Sequence, residues 1–585
     1  MPRIAVVRKE DCNPVSCGGY LCVRVCPVNR QGEDCIKEGS DHKAEIDAVL
    51  CVGCGICPNK CPFDAIDIIN LPSDLAKEPV HQYGRNGFHL FNLPVPIFGK
   101  VVGVVGVNGI GKSTAVKILA GVLKPNMGDY EAKSFDYNRL IEFYKGTEAQ
   151  QFFEKVRDGK IKAALKPQEV EQIPRSFDGT VKQLLEKVDE NCKIDEIAGK
   201  LELHHILDQD ISKISGGELQ RVAIAATMLK DANLYIFDEP TSYLDIKQRI
   251  NISKIIRDMA DENTAVLIIE HDLIILDYLT DLVHVMYGKE TAYGVVSQPK
   301  TTRVGINMFL SGFLKEENMR FRDHEIKFEN RPEAKEISSE VLCSWENIEK
   351  QLDKFKLNVA SGEIKKHDVI GILGANATGK TSFAKILAKV IEPDKGKVHE
   401  GIKVAYKPQY IESGDAPVLS VLQEAIGKYD SDIIKPLNLE RLFNKNLNQL
   451  SGGQLQRVAI ARCLAQKADL YLLDEPSAYL DVEQRMKVSR VIGNLMEKRG
   501  TTCMVVDHDL LFIDYLSRKL IVFEGEPAKY GKMRGPFTMQ DGMNRFLMDL
   551  DITFRRDPES NRPRANKKDS QMDRQQKIEN RLYYL

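Results

Sequence analysis

The sequence predicts a multidomain α/β protein: a small cysteine-rich head followed by two copies of one α/β unit. Three observations carry that reading. Nine of the 13 cysteines fall within the first 61 residues, a glycine-rich loop occurs twice, and an apolar strand ending in paired acids follows each loop. At 585 residues the chain has room for about three to five domains, and 43% hydrophobic with 28% charged residues supplies a core for each. Lys+Arg 82 against Asp+Glu 84 leaves a net charge of −2, so any nucleic-acid contact must come from local patches. The longest apolar stretch, 265–287, is interrupted by Glu270, Asp272, Asp277 and Asp281, and the N-terminus has no apolar signal-peptide core. Membrane-spanning and secreted readings are therefore excluded.

The head is read from its cysteines. Disulfides are disfavoured because nothing directs the chain to an oxidising compartment, and zinc sites usually show two separated Cys-x-x-Cys pairs. The run Cys51-x2-Cys54-x2-Cys57-x3-Cys61-Pro62 instead has bacterial-type ferredoxin spacing, in which three thiolates hold one [4Fe–4S] cube and the fourth reaches the other. Cys12-x4-Cys17-x4-Cys22-x3-Cys26-Pro27 is a stretched version of the same pattern. The expectation is two clusters, one on Cys26, Cys51, Cys54 and Cys57, the other on Cys12, Cys17, Cys22 and Cys61. Cys35 is left as an unligated thiol. Cys192, Cys343, Cys463 and Cys503 read as small apolar residues.

Residues 103–125 realign on 371–393 at an offset of 268. Each stretch holds a P-loop after an apolar strand (Val101–Val105, Val369–Leu373) and before a helix, as phosphate binding requires. The phosphate-binding set is Gly106, Asn108, Gly109, Gly111, Lys112, Ser113 and Thr114 in copy one. In copy two it is Gly374, Asn376, Gly379, Lys380, Thr381 and Ser382. The lysines suit the β/γ-phosphates, and Ser113 and Thr381 suit Mg²⁺. Copy two has Ala377 where copy one has Gly109, which leaves lysine and hydroxyl in place. Each unit then shows an apolar strand ending in Asp238-Glu239 or Asp474-Glu475. The first acid suits Mg²⁺ and the second suits polarising a water as general base. Ser215-Gly216-Gly217 and Ser451-Gly452-Gly453 each open a helix whose N–H groups suit a γ-phosphate. His271 and His508 follow apolar strands and suit the γ-phosphate or the water.

This set resembles the ATP-binding cassette (ABC) ATPases over about residues 80–540. By that resemblance Gln168 and Gln409 are Q-loop glutamines that act at the catalytic centre and ligate Mg²⁺, while the SGG segments are signatures. Ser242 to Asp245 and Ala478 to Asp481 are D-loops, and His271 and His508 are switch histidines. Cassettes of that family pair head to tail. The resemblance therefore implies one site joining Lys112, Glu239 and His271 to Ser451 and Gly453, and another joining Lys380, Glu475 and His508 to Ser215 and Gly217. Glu270 in copy one is Asp507 in copy two, with the histidine retained.

Equivalent lysines lie 268 apart, Q-loop glutamines 241, and signature serines and strand-end glutamates 236. Copy one therefore carries 27 extra residues between Lys112 and Gln168, for which 134–162 is the candidate stretch, with apolar Leu140, Ile141, Tyr144, Phe152, Phe153 and Val156 at helical spacing on both sides of Lys145-Gly146-Thr147. It reads as a helix–loop–helix with a net charge of +3 over 133–166, and the expectation is an RNA-contacting arm. Gly305 to Leu310 recurs as Gly542 to Leu547, giving paired hinge segments that pack together. The segment 555–581 has net charge +4, for which a disordered tail and an RNA contact are equally open.

Two cassettes, no membrane domain, the two-cluster ferredoxin-like head, the insertion and the stretch Ile552 to Pro558 are together similar to the subfamily E ABC proteins, the RNase L inhibitor family. The expected domains are 1–72 (iron–sulfur), 73–298 (first cassette), 299–338 (hinge one), 339–530 (second cassette) and 531–585 (hinge two and basic tail). The resemblance implies a cytoplasmic ATPase with two Mg²⁺–ATP sites, its short N-terminus being of the archaeal type. Its implied partners are the ribosome, a class-one release factor or Pelota homologue, and initiation factors. It implies splitting of ribosomes into subunits, with the protein left on the small subunit. A scaffold ATPase without splitting and a redox-coupled ATPase are the rivals; a transporter subunit would leave the nine cysteines unexplained.

Overall fold

A computed structural model describes residues 3–70, 78–131, 135–328, 340–398, 401–409, 411 and 414–583. The start of the insertion at Ser134, its neighbour Lys133, the 72/73 domain boundary and residues 329–338 of hinge one lie outside them. The chain divides into two compact units: 1–242 with 255–270 and 280–323, and 243–254 with 271–279 and 324–585.

In the first unit the head is closed by Arg3–Val7 pairing antiparallel with Ile66–Asn70. Buried Asn86 ties the head to the segment that enters the cassette: its amide donates to Ala5 O and Ile46 O, each at 2.8 Å, and its oxygen accepts from Ile46 N at 2.8 Å. Asp67 of the head is ion-paired with Arg8 and with Lys289 of the cassette. The cassette's parallel core runs, in spatial order, Ala163–Lys166, Leu234–Asp238, Ala265–Ile269, Val101–Val105 and Leu282–Lys289. Three of these strands are buried at every position, which is why they read as continuous apolar runs rather than alternating ones. The insertion forms helices Tyr137–Phe143 and Glu148–Arg157, which bury Leu140, Phe152 and Phe153 against the cassette core.

The second unit repeats the parallel order as Val404–Lys407, Leu470–Asp474, Thr502–Val506, Val369–Gly374 and Lys519–Glu526. The repeated hinge motif is a helix in each unit, Thr302–Ser311 packed on Leu282–Lys289 and Met539–Leu550 packed on Lys519–Glu526. The repeated glycine makes that approach possible: a Cβ on Gly542 would stand 2.6 Å from the Leu520 Cβ, and one on Gly305 3.3 Å from the Val283 Cβ.

The C-terminal segment corrects the disordered-tail alternative. Phe554–Arg556 and Pro563–Ala565 pair antiparallel, and Gln571–Ile578 is a helix. Three of its arginines are turned inward, while Lys567, Lys568, Arg574 and Arg581 are exposed. Arg564 makes a two-pronged pair with Asp277 (2.6 and 2.9 Å), Arg562 is fully buried 3.2 Å from the same carboxylate, and Arg556 grips Asp514 at 2.7 and 2.9 Å. Buried Ile552, Phe554 and Tyr583 anchor the segment, and no charge count could weigh those residues.

Trp345 is the chain's single tryptophan, buried in the second cassette, with its indole N–H on Ala360 O (2.8 Å) and its ring edge-on to Phe383 at 5.3 Å. Phe383→Ala should therefore destabilise this unit by about 3–5 kcal/mol. Denaturant unfolding followed by Trp345 emission checks the value; an unchanged midpoint would contradict it.

Candidate functional site

Each P-loop wraps its own lysine. The turn is made by left-handed Gly111 (φ 88°) and Gly379 (φ 96°), after which helices Lys112–Leu119 and Lys380–Leu387 begin. The rings of Phe88 and Phe355 lie against these glycines, where a Cβ would come within 2.7 and 3.1 Å. Lys112 Nζ donates to Gly106 O (3.0 Å), Val107 O (2.8 Å) and Asn108 Oδ1 (3.4 Å). Lys380 Nζ donates to Gly374 O (2.9 Å) and Ala375 O (2.6 Å). Burial pushes Lys380 down to about 8 against the opposing pull of Asp245, Glu475 and Asp474. Ala377 is left-handed (φ 55°), like Gly109 (φ 74°), so copy two keeps the loop shape at a cost of about 1–2 kcal/mol. Thr114 meets the Tyr83 hydroxyl at 3.3 Å, and Ser382 follows Thr381 in the opening turn of its helix.

The strand-end acids stand beside the loop hydroxyls. Ser113 is a neighbour of Asp238 and Thr381 of Asp474, whose two carboxylate oxygens are buried without a hydrogen-bond partner among the described residues. Burial, then the adjacent Glu239, pushes Asp238 up to about 6; burial also raises Asp474 and Glu475. Glu239 and Glu475 are left-handed at φ 48° and 47°, uncommon for a residue with a long side chain. Gln168 donates to Glu239 Oε1 at 2.7 Å, and Gln409 to Glu475 Oε1 at 2.8 Å. His508 Nε2 lies 3.7 Å from Glu475 Oε1, and burial, then Lys380, holds its ring well below the usual imidazole range. His271 is buried just after strand Ala265–Ile269. The Glu270/Asp507 difference is structural: Thr241 Oγ1 donates to Glu270 at 2.9 Å, and Ser477 Oγ donates to Asp507 at 2.7 Å.

Four site residues were not singled out from the sequence. Lys166 and Lys407, two positions before each Q-loop glutamine, are buried with their ammoniums on strand-end carbonyls. Gln220 and Gln456, five residues after each signature serine, donate to the carbonyls of Glu239 (2.7 Å) and Glu475 (2.6 Å). The signal that would have found them is recurrence: they repeat at the offsets of 241 and 236 shared by their neighbours.

Ser215 and Ser451 cap helices Gly216–Met228 and Gly452–Ala465 with reciprocal bonds to Glu218 and Gln454. The hydroxyl takes the third N–H and the serine carbonyl takes that of Leu219 or Leu455. The helix start is thus less bare than the sequence suggested, with the N–H groups of the paired glycines facing outward by helix geometry. Within the second unit, Asp245 Oδ2 accepts from the P-loop N–H of Asn376 at 2.9 Å, and Tyr243 meets Tyr479 edge-on at 6.5 Å.

In the head, helices Leu21–Val25 and Ile56–Lys60 pack together. Each carries a cysteine at its second position (Cys22, Cys57) and a Cys-Pro at its C-terminal end (Cys26, Cys61). The thiols bearing on Cys22 are Cys12, Cys17 and Cys61; those on Cys57 are Cys51 and Cys54, then Cys22 and Cys26. That grouping suits two thiolate sets. Burial pushes Cys22 up to about 11 and Cys57 up to about 12, so a bound cationic cluster is what would hold them as thiolates. Among the described residues no three such side chains are spaced for a single metal ion. Cys35 is buried beside Cys26 and Cys51, and its thiol donates to Asp47 O at 3.9 Å. No helix among the described residues is long and apolar enough to cross a membrane.

With this geometry in hand, comparison with known proteins is specific. The "ABC transporter" family model matches residues 97–242 and 357–478, and the "possible Fer4-like domain in RNase L inhibitor, RLI" model matches 2–34. An uncharacterized ABC transporter ATP-binding protein of Methanocaldococcus jannaschii is 50% identical, covering 100% of this chain and 98% of the relative. ABC transporter E family member 1 of Arabidopsis thaliana is 45% identical over 100% of this chain and 99% of its own length. Translation initiation factor RLI1 of Saccharomyces cerevisiae is 42% identical over 100% and 98%. Among solved structures, a model of ribosome-bound archaeal Pelota and ABCE1 aligns with TM-score 0.94 and 50% identity, covering 100% of this chain and 99% of the other. An archaeal ribosome recycling factor aABCE1, in complex with the stalk protein aP1, aligns with TM-score 0.83 and 51% identity over 88% and 100%. The cassettes are thus ATP-hydrolysing modules behind an iron–sulfur-type head, and the chain belongs to the E subfamily of ABC proteins, the RNase L inhibitor family.

Proposed function

We propose that this chain is a cytoplasmic, ATP-driven ribosome recycling factor with two composite ATP sites and two [4Fe–4S] clusters. The full-length likeness to the archaeal protein in the ribosome-bound complex with Pelota carries the functional reading. The expected domain boundaries, the RNA-contacting role of the insertion, and release factor or Pelota homologue, small subunit and initiation factors as partners belong to the same proposal.

The composite arrangement is supported by one contact. Asp245, in the D-loop of copy one, accepts from Asn376 in the P-loop of copy two. In each site, water attacks the γ-phosphorus while the glutamate (Glu239, Glu475) takes its proton, and the bond to the bridging oxygen of ADP breaks. The P-loop lysine and N–H groups, with the signature glycines opposite, stabilise charge on the phosphoryl oxygens. The histidines His271 and His508 hold the γ-phosphate or the water. Mg²⁺ held by Ser113, Gln168 and Asp238, or by Thr381, Gln409 and Asp474, supplies charge neutralisation at the phosphates. Two sandwiched γ-phosphates favour the closed state, and their loss on hydrolysis releases it. The Asn86 and Asp67–Lys289 ties make the head move with its cassette, as a lever requires. The clusters' part in this reading is to hold that head rigid.

Sucrose-gradient sedimentation of cognate ribosomes with anaerobically prepared protein, a Pelota or release-factor homologue and ATP tests the reading. Particles should fall into subunits. The Glu239→Gln, Glu475→Gln chain should split them once and stay on the small subunit with ATP unhydrolysed. Whole particles, from protein with full iron and ATPase activity, would leave the scaffold reading.

Cys54→Ser should lower iron from about eight to about four atoms per chain while ATP binding persists. Iron analysis with nucleotide binding checks this, and an unchanged iron content would remove Cys54 from its cluster.

A further inference from the structure

Glu239 and Glu475 share an unusual backbone. Both are left-handed non-glycine residues, a conformation that costs about 1–3 kcal/mol and persists only where the surroundings over-determine it. Their surroundings do so in the same way twice. Lys166 Nζ donates to Asp238 O (2.9 Å) and Glu239 O (3.2 Å), and Lys407 Nζ donates to Asp474 O (2.7 Å) and Glu475 O (3.3 Å). Gln220 and Gln456 place a second donor on the same glutamate carbonyls. On the opposite side, Glu239 N donates to Ile269 O at 3.0 Å and Glu475 N to Val506 O at 2.7 Å, tying each glutamate to the neighbouring strand.

One short segment therefore holds both ends of the glutamate. Lys166 grips its carbonyl, and two residues later Gln168 grips its carboxylate; Lys407 and Gln409 do the same in copy two. Lys166 and Gln220 are 0% exposed, and Lys407 and Gln456 1%, so none of the four is available to nucleotide from solvent. A purely packing role would be met by an apolar side chain, since burying an ammonium is costly unless its hydrogen bonds are needed.

We propose that Lys166 with Gln220, and Lys407 with Gln456, are positioning residues that fix the general-base glutamates in the left-handed turn, so that the Q-loop and the base move as one piece when nucleotide binds. The inference rests on the assignment of Glu239 and Glu475 as bases. An error in where a base holds its water lowers the chemical step while leaving nucleotide binding, which uses the P-loop, intact.

The test uses the full chain with its clusters, carrying Lys166→Met and Lys407→Met together. Equilibrium binding of a fluorescent ATP analogue with Mg²⁺ and steady-state turnover are measured, each also in the Glu239→Gln, Glu475→Gln background. The expected result is a fall in kcat of about 10- to 100-fold with Kd changed by less than about threefold. In the glutamine background the lysine changes should lower the residual rate by less than about twofold, because residues acting through one group are not additive. Gln220→Leu with Gln456→Leu should give the same pattern, and serves if the methionine chain does not fold. Normal turnover in the lysine variants while the glutamine variants are arrested would overturn this inference alone. So would a full additive loss in the glutamine background, or a Kd that weakens in step with kcat. Brisk turnover of the glutamine variants themselves would instead overturn the base assignment.

Discussion

Four lysine ammoniums, those of Lys112, Lys166, Lys380 and Lys407, are buried at the C-terminal ends of parallel strands, and each is held by two main-chain carbonyls. Charges taken from water at that cost must be matched by hydrogen bonds and counter-charge. The rest of each cassette follows. The loop must curl through left-handed glycines to turn carbonyls inward, the strand end must turn at the glutamate, and Asp238 or Asp474 must sit alongside. Nucleotide phosphates complete the charge balance that the protein alone leaves poised.

Most of the candidate set was legible in the sequence because it is local. A P-loop, a strand ending in two acids and a capped SGG helix are each contiguous, and duplication at fixed offsets separates them from chance. The Q-loop glutamines needed the family resemblance, since one glutamine in a loop carries no spacing signal; their contact with Glu239 and Glu475 is a product of the fold. Lys166 and Gln220 were invisible for a related reason. Each looks like an ordinary surface-forming residue until 73 and 19 positions of chain fold back to place a carbonyl against it. The C-terminal segment was misjudged because charge was counted without partners. Asp277 lies 287 positions from Arg564, and only the folded chain turns that arginine inward.

The head shows the same division. Cys-x2-Cys spacing pointed to thiolate ligands, and the two packed helices bring Cys22 and Cys57 into equivalent places. What spacing could not show is the attachment. Asn86 satisfies three backbone groups of the head and Lys289 pairs with Asp67, so the head is fastened to the body that carries the first P-loop. Cys35, which no motif claimed, lies against two ligand candidates, Cys26 and Cys51.

Head-to-tail pairing is the claim on which force generation depends, and epistasis in nucleotide occlusion tests it most directly. The Glu239→Gln, Glu475→Gln chain is loaded with labelled ATP and Mg²⁺, and retained nucleotide is counted after gel filtration. Ser451→Arg is then combined with Lys112→Ala or with Lys380→Ala. If Lys112 and Ser451 share a site, their combination retains one nucleotide of the pair, as either change does alone, whereas Ser451→Arg with Lys380→Ala retains none. The reverse pattern would place each signature with its own P-loop and contradict the account.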